Sequence, residues 1–185
     1  MSDDNAQAAR LLFDRDIAAG ILSEWTAQTA LPKDQSDLRR AAALLVRAGE
    51  EWLGLPASIV ETALPVGTVH CVPYLSSPVF LGLANVDGEL LPCVSLAALT
   101  GAEPDLSPVR PRFIAVSLAA GRFVLLVDEA AGTCGYDPET LASPPDTLAR
   151  SPHPIVRAMV LLEGRSAGIT DEESLGQALL RSLRP

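Results

Sequence analysis

The chain has 185 residues, of which 48% are apolar and 20% charged, so it is long enough to bury a core without disulfide staples. A net charge of −9 with only 4% aromatic residues argues against nucleic acid as a partner, because a phosphate backbone calls for clustered Lys and Arg and single strands call for stacking platforms. Cys71, Cys93 and Cys134 are widely spaced, which suits reduced core thiols rather than a disulfide framework or a zinc site.

The first residues, MSDDNAQAAR, are acidic and polar, unlike a secretory signal. No apolar run approaches the ~20 residues that cross a bilayer. A soluble cytoplasmic protein with no direct membrane insertion is expected. Within residues 6–30, Ile17, Ile21 and Trp25 recur at helical spacing with Leu11 and Leu22 near the same face, which predicts one or two helices. Leu31 to Arg40 is polar and holds a proline, so it reads as a linker. Residues 1–40 are therefore expected to be a helical extension, and residues 41–185 the principal domain.

From Ala41 the pattern changes to short β-like runs separated by turns. AALLVRA and WLGL, joined by Gly49-Glu50-Glu51, predict a hairpin that Pro56 ends. ASIVETAL reads as a further strand or a short helical turn. The VHCVPY region, FLGLANV, ELLPCVSL, RFIAVSL and RFVLLVDEA follow at intervals of about ten to fifteen residues, a rhythm of barrels or sandwiches rather than of βαβ units. Asp87-Gly88 between two apolar runs is a type I′ hairpin signal, and Ala120-Gly121 plays a similar part later. Residues 133–155 hold five prolines and read as an irregular connection. VRAMVLLEGRSAGI predicts a last hairpin turning at Glu163-Gly164. Thr170 and Glu173 then have capping-box spacing ahead of a helix whose face carries Leu175, Leu179 and Leu183.

Candidates for chemistry are few. His70 and Cys71 are a nucleophile–base pair in principle, yet neighbours on a strand point to opposite faces. His153, in a Ser-Pro-His-Pro loop, reads as solvated. Asp128-Glu129 reads as a surface strand end rather than a paired-carboxylate site. Phosphate-loop, dinucleotide, zinc-protease and nucleophile-elbow motifs are all missing from the sequence, so a binding module without cofactor is favoured over an enzyme. The alternative from another class is a small β-barrel that binds a ligand or performs thiol chemistry through His70 and Cys71.

Several ordered landmarks carry a family resemblance over about 140 residues: Gly49-Glu50-Glu51-Trp52, Ile59-Val60-Glu61, the block Gly82-Leu83-Ala84-Asn85-Val86-Asp87-Gly88 with Leu91-Pro92-Cys93-Val94-Ser95-Leu96, and Gly121 to Glu129. In these the chain resembles the CheW family of chemotaxis coupling proteins. The resemblance implies a mainly β fold of two packed SH3-like β-barrels, here with N-terminal helices and a C-terminal helix. It implies a non-catalytic signalling adaptor that joins the regulatory domain of a CheA-like histidine kinase to the cytoplasmic tip of a methyl-accepting chemoreceptor. Ile59, Leu83 and Val124 are the apolar positions it offers for partner contact, each equally suited to barrel core. Glu61 matches the family's Val-x-Glu acid and equally suits a plain surface charge, and Asn85 suits fixing the turn backbone better than touching a partner. The family often places a base before each glycine of the block, where this chain has Leu81 and Asp87, and Asp where this chain has Ser95. Asp87 thus reverses charge at an expected partner-facing turn. The N-terminal segment and the Cys93 to Leu96 run resemble extended adaptors of Wsp-type surface-sensing pathways, which feed biofilm formation.

Overall fold

The computed structural model describes residues 41–73, 75, 77–102, 110–144 and 154–183, all within the compact unit Arg39–Pro185. The helices expected over residues 1–40, the linker and His153 lie outside the described residues.

The order of elements is β1 (Ala41–Ala48), β2 (Glu51–Pro56), β3 (Val60–Pro65), β4 (Val69–His70), β5 (Phe80–Val86), β6 (Glu89–Ser95), α1 (Leu96–Thr100), β7 (Arg112–Leu118), β8 (Gly121–Val127), β9 (Glu129–Tyr136), a 3-10 turn (Pro138–Thr140), β10 (Val156–Leu162), β11 (Arg165–Thr170) and α2 (Glu172–Ser182). The strands form a five-stranded sheet, β10-β11-β2-β1-β9, and a six-stranded sheet, β3-β7-β8-β6-β5-β4. Each curls into a small barrel. Barrel 1 brings its edges together through paired backbone bonds between Ala142 and Met159 at 2.9 and 2.8 Å. All of barrel 2 lies in the chain between β2 and β9, so it is an insertion into barrel 1.

The apolar runs are long because their strands are buried on both faces. On β1, Ala43 and Leu45 fill barrel 1 while Leu44 and Val46 face a core shared between the barrels. On β7, Phe113 and Ala115 fill barrel 2 while Ile114 and Val116 join that shared core. Side chains alternate across a strand, so covering both faces removes the polar half of the pattern. Leu175 and Leu179 of α2 and Leu96 and Leu99 of α1 complete the shared core. Leu183 packs against it from the end of α2.

Four sequence expectations change. The run RFVLLVDEA is not one strand: β8 stops at Val127 and β9 starts at Glu129, with the chain passing from barrel 2 to barrel 1 at Asp128. Thr133 to Tyr136, assigned to an irregular connection, belongs to β9, whose register against β1 slips at Leu45/Val46. The helix α2 is capped not by Thr170 but by Asp171, whose side chain accepts from the Ser174 amide. Thr170 ends β11 and donates from its buried hydroxyl to the Gly54 carbonyl, 3.3 Å away. Finally, the β7–β8 turn is Ala119-Ala120, because Leu118 pairs with Gly121. The ambiguous ASIVETAL segment resolves into a turn followed by strand β3.

Candidate functional site

The β5–β6 hairpin turns through Asp87 (φ 51°) and Gly88 (φ 90°), the two positive values that a type I′ turn requires. Asn85 fixes it: its side-chain oxygen accepts from the Gly88 amide at 2.9 Å. At the other end of β5, Gly82 (φ 133°) holds the backbone close to β4, since a Cβ there would fall 2.3 Å from the His70 carbonyl oxygen.

Glu61 lies at a β-bulge, because Val60 pairs with Val116 and Thr62 with Ala115. Two residues of β3 thus span one step of β7, and a bulge of this kind re-aims the extra side chain. Glu61 reaches Arg122 of β8, which donates from Nε at 3.1 Å to both carboxylate oxygens and from Nη2 at 2.6 Å to Oε2. The remaining nitrogen, Nη1, donates to Glu89, the first residue of β6. Glu61 and Arg122 stand on strands with β7 between them, a flat separation of about 10 Å. One guanidinium serves both carboxylates because β8 lies beside β6 and one strand from β3, a span that the long arginine and glutamate side chains cover. The Glu61 hydrogen bonds hold Arg122 above its ordinary range, helped by the charges of Glu61, Glu89 and Asp87 and opposed by desolvation. Three carboxylates and one base leave this rim acidic.

Beside the rim runs a partly exposed strip. Cross-strand partners share a face; His70 pairs with Leu83, Leu83 with Pro92, and Asn85 with Leu90. Leu83 and Pro92 are half-buried, and Leu90 is 53% exposed. Glu61 and Asp87 thus come together around Arg122, with Asn85 fixing the turn that carries Asp87, while Leu83 lies farther along β5 on the strip with Pro92. Ile59 and Val124 are elsewhere: both are buried, Ile59 in the shared core and Val124 inside barrel 2, which is the core side of the alternative their sequence left open.

The departures from the family pattern have local places. Leu81 is half-buried against the barrel 2 core, at the register shift between Phe80 and Gly82. Ser95 caps α1, accepting from the Ala98 amide at 3.3 Å. Of the cysteines, Cys93 is buried, Cys134 half-buried and Cys71 exposed, so the expectation of core thiols fails at Cys71. Burial pushes the Cys93 thiol up to about 11. His70 and Cys71 sit at the end of the two-residue β4, both solvent-exposed. Asp128 is not a plain surface strand end: it accepts from the Gly49 amide at 2.6 Å, and Glu129 pairs with Arg47 at 3.4 Å. Among the described residues, no group of His, Cys, Asp and Glu has the arrangement to hold a metal ion, and no helix is long and apolar enough to cross a membrane.

Sequence reading missed Arg122, Glu89 and Leu90. Arg122 is the one charged residue in the strand GRFVLLV, which hints at a rim position. Its partners lie 61 and 33 residues away, so no local pattern joins them.

Two barrels share one core, barrel 2 carries an acidic rim, and β5 and β6 carry a partly exposed apolar strip. The chain belongs to the CheW-like domain family, whose model matches residues 42–179. Its structure resembles the crystal structure of the scaffolding protein TtCheW from Thermoanaerobacter tengcongensis, with a TM-score of 0.63 at 17% identity, covering 71% of this chain and 89% of that one. The fold is therefore that of two packed SH3-like barrels, as expected. No curated protein matches the chain.

Proposed function

We propose that the chain is a non-catalytic adaptor that holds a methyl-accepting chemoreceptor and a CheA-like histidine kinase in fixed relative positions. The observation that carries this reading is the CheW-like family match over residues 42–179, on a structure whose two barrels share a continuous core. A rigid body of this kind couples partners by geometry: receptor changes bias the kinase through differential contacts. The cytoplasm is the proposed location, with membrane association through the receptor. A surface-sensing, biofilm-forming pathway is the proposed output, and residues 1–40 are proposed as an extension to a coupling domain over 41–185.

The partner-facing surface is proposed at the barrel 2 rim, with Leu83, Pro92 and Leu90 as apolar contacts and Glu61 and Asp87 as the charges that select a partner. Apolar centres bordered by charge are the usual anatomy of such surfaces. The test is co-purification with the kinase and receptor encoded beside it, followed by affinity measurement. Binding of each at micromolar concentration or tighter is expected, and Asp87→Arg is expected to weaken it about tenfold. Failure of both partners to bind sinks the adaptor reading. Unchanged affinity in Asp87→Arg removes that turn from the interface.

A further inference from the structure

We infer that Arg122 is the positioning residue of the barrel 2 rim, presetting the Glu61 carboxylate and the Asp87-Gly88 turn in the arrangement a partner meets. The guanidinium is held from two sides. Glu61 takes three of its hydrogen bonds and Glu89 a fourth. Glu89 immediately follows Gly88 and pairs with Val86 across the hairpin, so its bond to Arg122 ties down one leg of the turn. Asn85 ties the other through the Gly88 amide. Asp87 is carried between these two fixed points in a left-handed conformation (φ 51°), with its direction set by neighbours rather than by a bond of its own in the described structure.

Arg122 does this through shape as well as charge. A planar fork with five donors meets two carboxylates on different strands, whereas a lysine ammonium is a point charge on a flexible stem. Arg122, Glu61 and Glu89 are all substantially solvent-accessible, with side chains 37%, 32% and 56% exposed. Exposed pairs contribute little to folding stability, so the cluster's effect is on order. A rim ordered before encounter loses less conformational freedom on binding, and this appears in the dissociation rate.

The partner role rests on the adaptor reading, but the effect on the turn does not, and the two separate experimentally. Arg122→Lys keeps the charge and removes the fork. Amide hydrogen exchange at Gly88 needs no partner: about tenfold faster exchange is expected in Arg122→Lys, with unchanged exchange in the strands of barrel 1. Unchanged exchange at Gly88 overturns the inference, whatever the protein binds. With the kinase and receptor as probes, Arg122→Lys is expected to raise the dissociation rate about fivefold and to leave the association rate within about twofold. A change confined to the association rate and abolished by salt means a purely electrostatic role, and overturns positioning. Arg122→Gln, which loses charge and fork together, is expected to show at least the Gly88 exchange of Arg122→Lys. If only Arg122→Gln accelerates exchange, the fork is irrelevant and the inference fails. Absence of wild-type binding condemns the adaptor reading, while the Gly88 result still decides the role of Arg122 in the turn.

Discussion

Barrel 1 presses its parallel strands β2 and β11 together through missing side chains, whereas barrel 2 ties its rim with a charged one. At Gly54 an added Cβ would lie 2.7 Å from Ile169 Cδ1 and 3.3 Å from Ala43 Cβ, and at Gly168 one would lie 2.8 Å from Val156 Cγ1. Close packing of that kind is indifferent to salt and intolerant of volume. The Glu61–Arg122–Glu89 rim has the opposite character, being open to solvent, screened by salt and tolerant of volume. The difference separates a part built to stay closed from a part that is accessible to another molecule. Between them, among the described residues, nineteen buried apolar residues form the shared core, against seven inside each barrel. The barrels are therefore expected to melt as one unit.

The strongest way to break that picture is at the shared core. Leu179 of α2 is fully buried there, and Leu179→Ala is expected to cost about 3 kcal/mol. Urea unfolding followed by circular dichroism and by tryptophan fluorescence should show one transition moved to lower denaturant. Two separated transitions would mean that each barrel stands on its own core. A smaller effect is expected from Gly54→Ala, about 2 kcal/mol from overpacking, and the loss should be the same at low and high salt. A salt-dependent loss would mean that barrel 1 is not closed by packing.

Smaller again is the cap of α2. Asp171→Ala is expected to cost about 1 kcal/mol at neutral pH. The backbone amide of Ser174 is the first cause holding the Asp171 carboxyl below its ordinary value, with the Ser174 side chain and Arg157 charge adding to it. A depressed native value stabilises the fold above the unfolded value of 3.8 and is lost as pH falls through the native one. The gap between wild type and Asp171→Ala should therefore close as urea melts are taken from neutral to acid pH. A gap that persists fully at about pH 2 would mean that the carboxylate charge contributes nothing to the cap.

Much of this was legible locally. Asp87-Gly88 and Glu163-Gly164 mark their turns because positive φ restricts residue choice, and both Asp87 and Glu163 do adopt it. The β1–β2 and β10–β11 hairpins follow from short turns between apolar runs. Strand β9 escaped notice because EAAGTCGY carries two glycines and small side chains, and its pairing with β1 is set by a bulge rather than by its own pattern. The α2 cap was displaced by one residue because Thr170 and Asp171 are both good caps, and the choice is made by β11, which keeps Thr170 in the strand. At the rim, Asn85 and Asp87 were readable since their roles are local. Arg122 was not, because only the sheet order β3-β7-β8-β6 brings Glu61 and Glu89, far away in sequence, within its reach.

The insertion of barrel 2 between β2 and β9 also dictates an order of events during synthesis. A chain emerging N-terminus first presents β1 and β2 while β9, β10 and β11 are still to be made. Every strand of barrel 2 is available once Val127 has emerged, but barrel 1 waits for about forty further residues, through Thr170. Until then Ala43 and Leu45 have no closed barrel around them, and the β1–β2 hairpin is a greasy, unpaired edge on the nascent chain. The last strands made, β10 and β11, are thus the ones that close the first barrel begun.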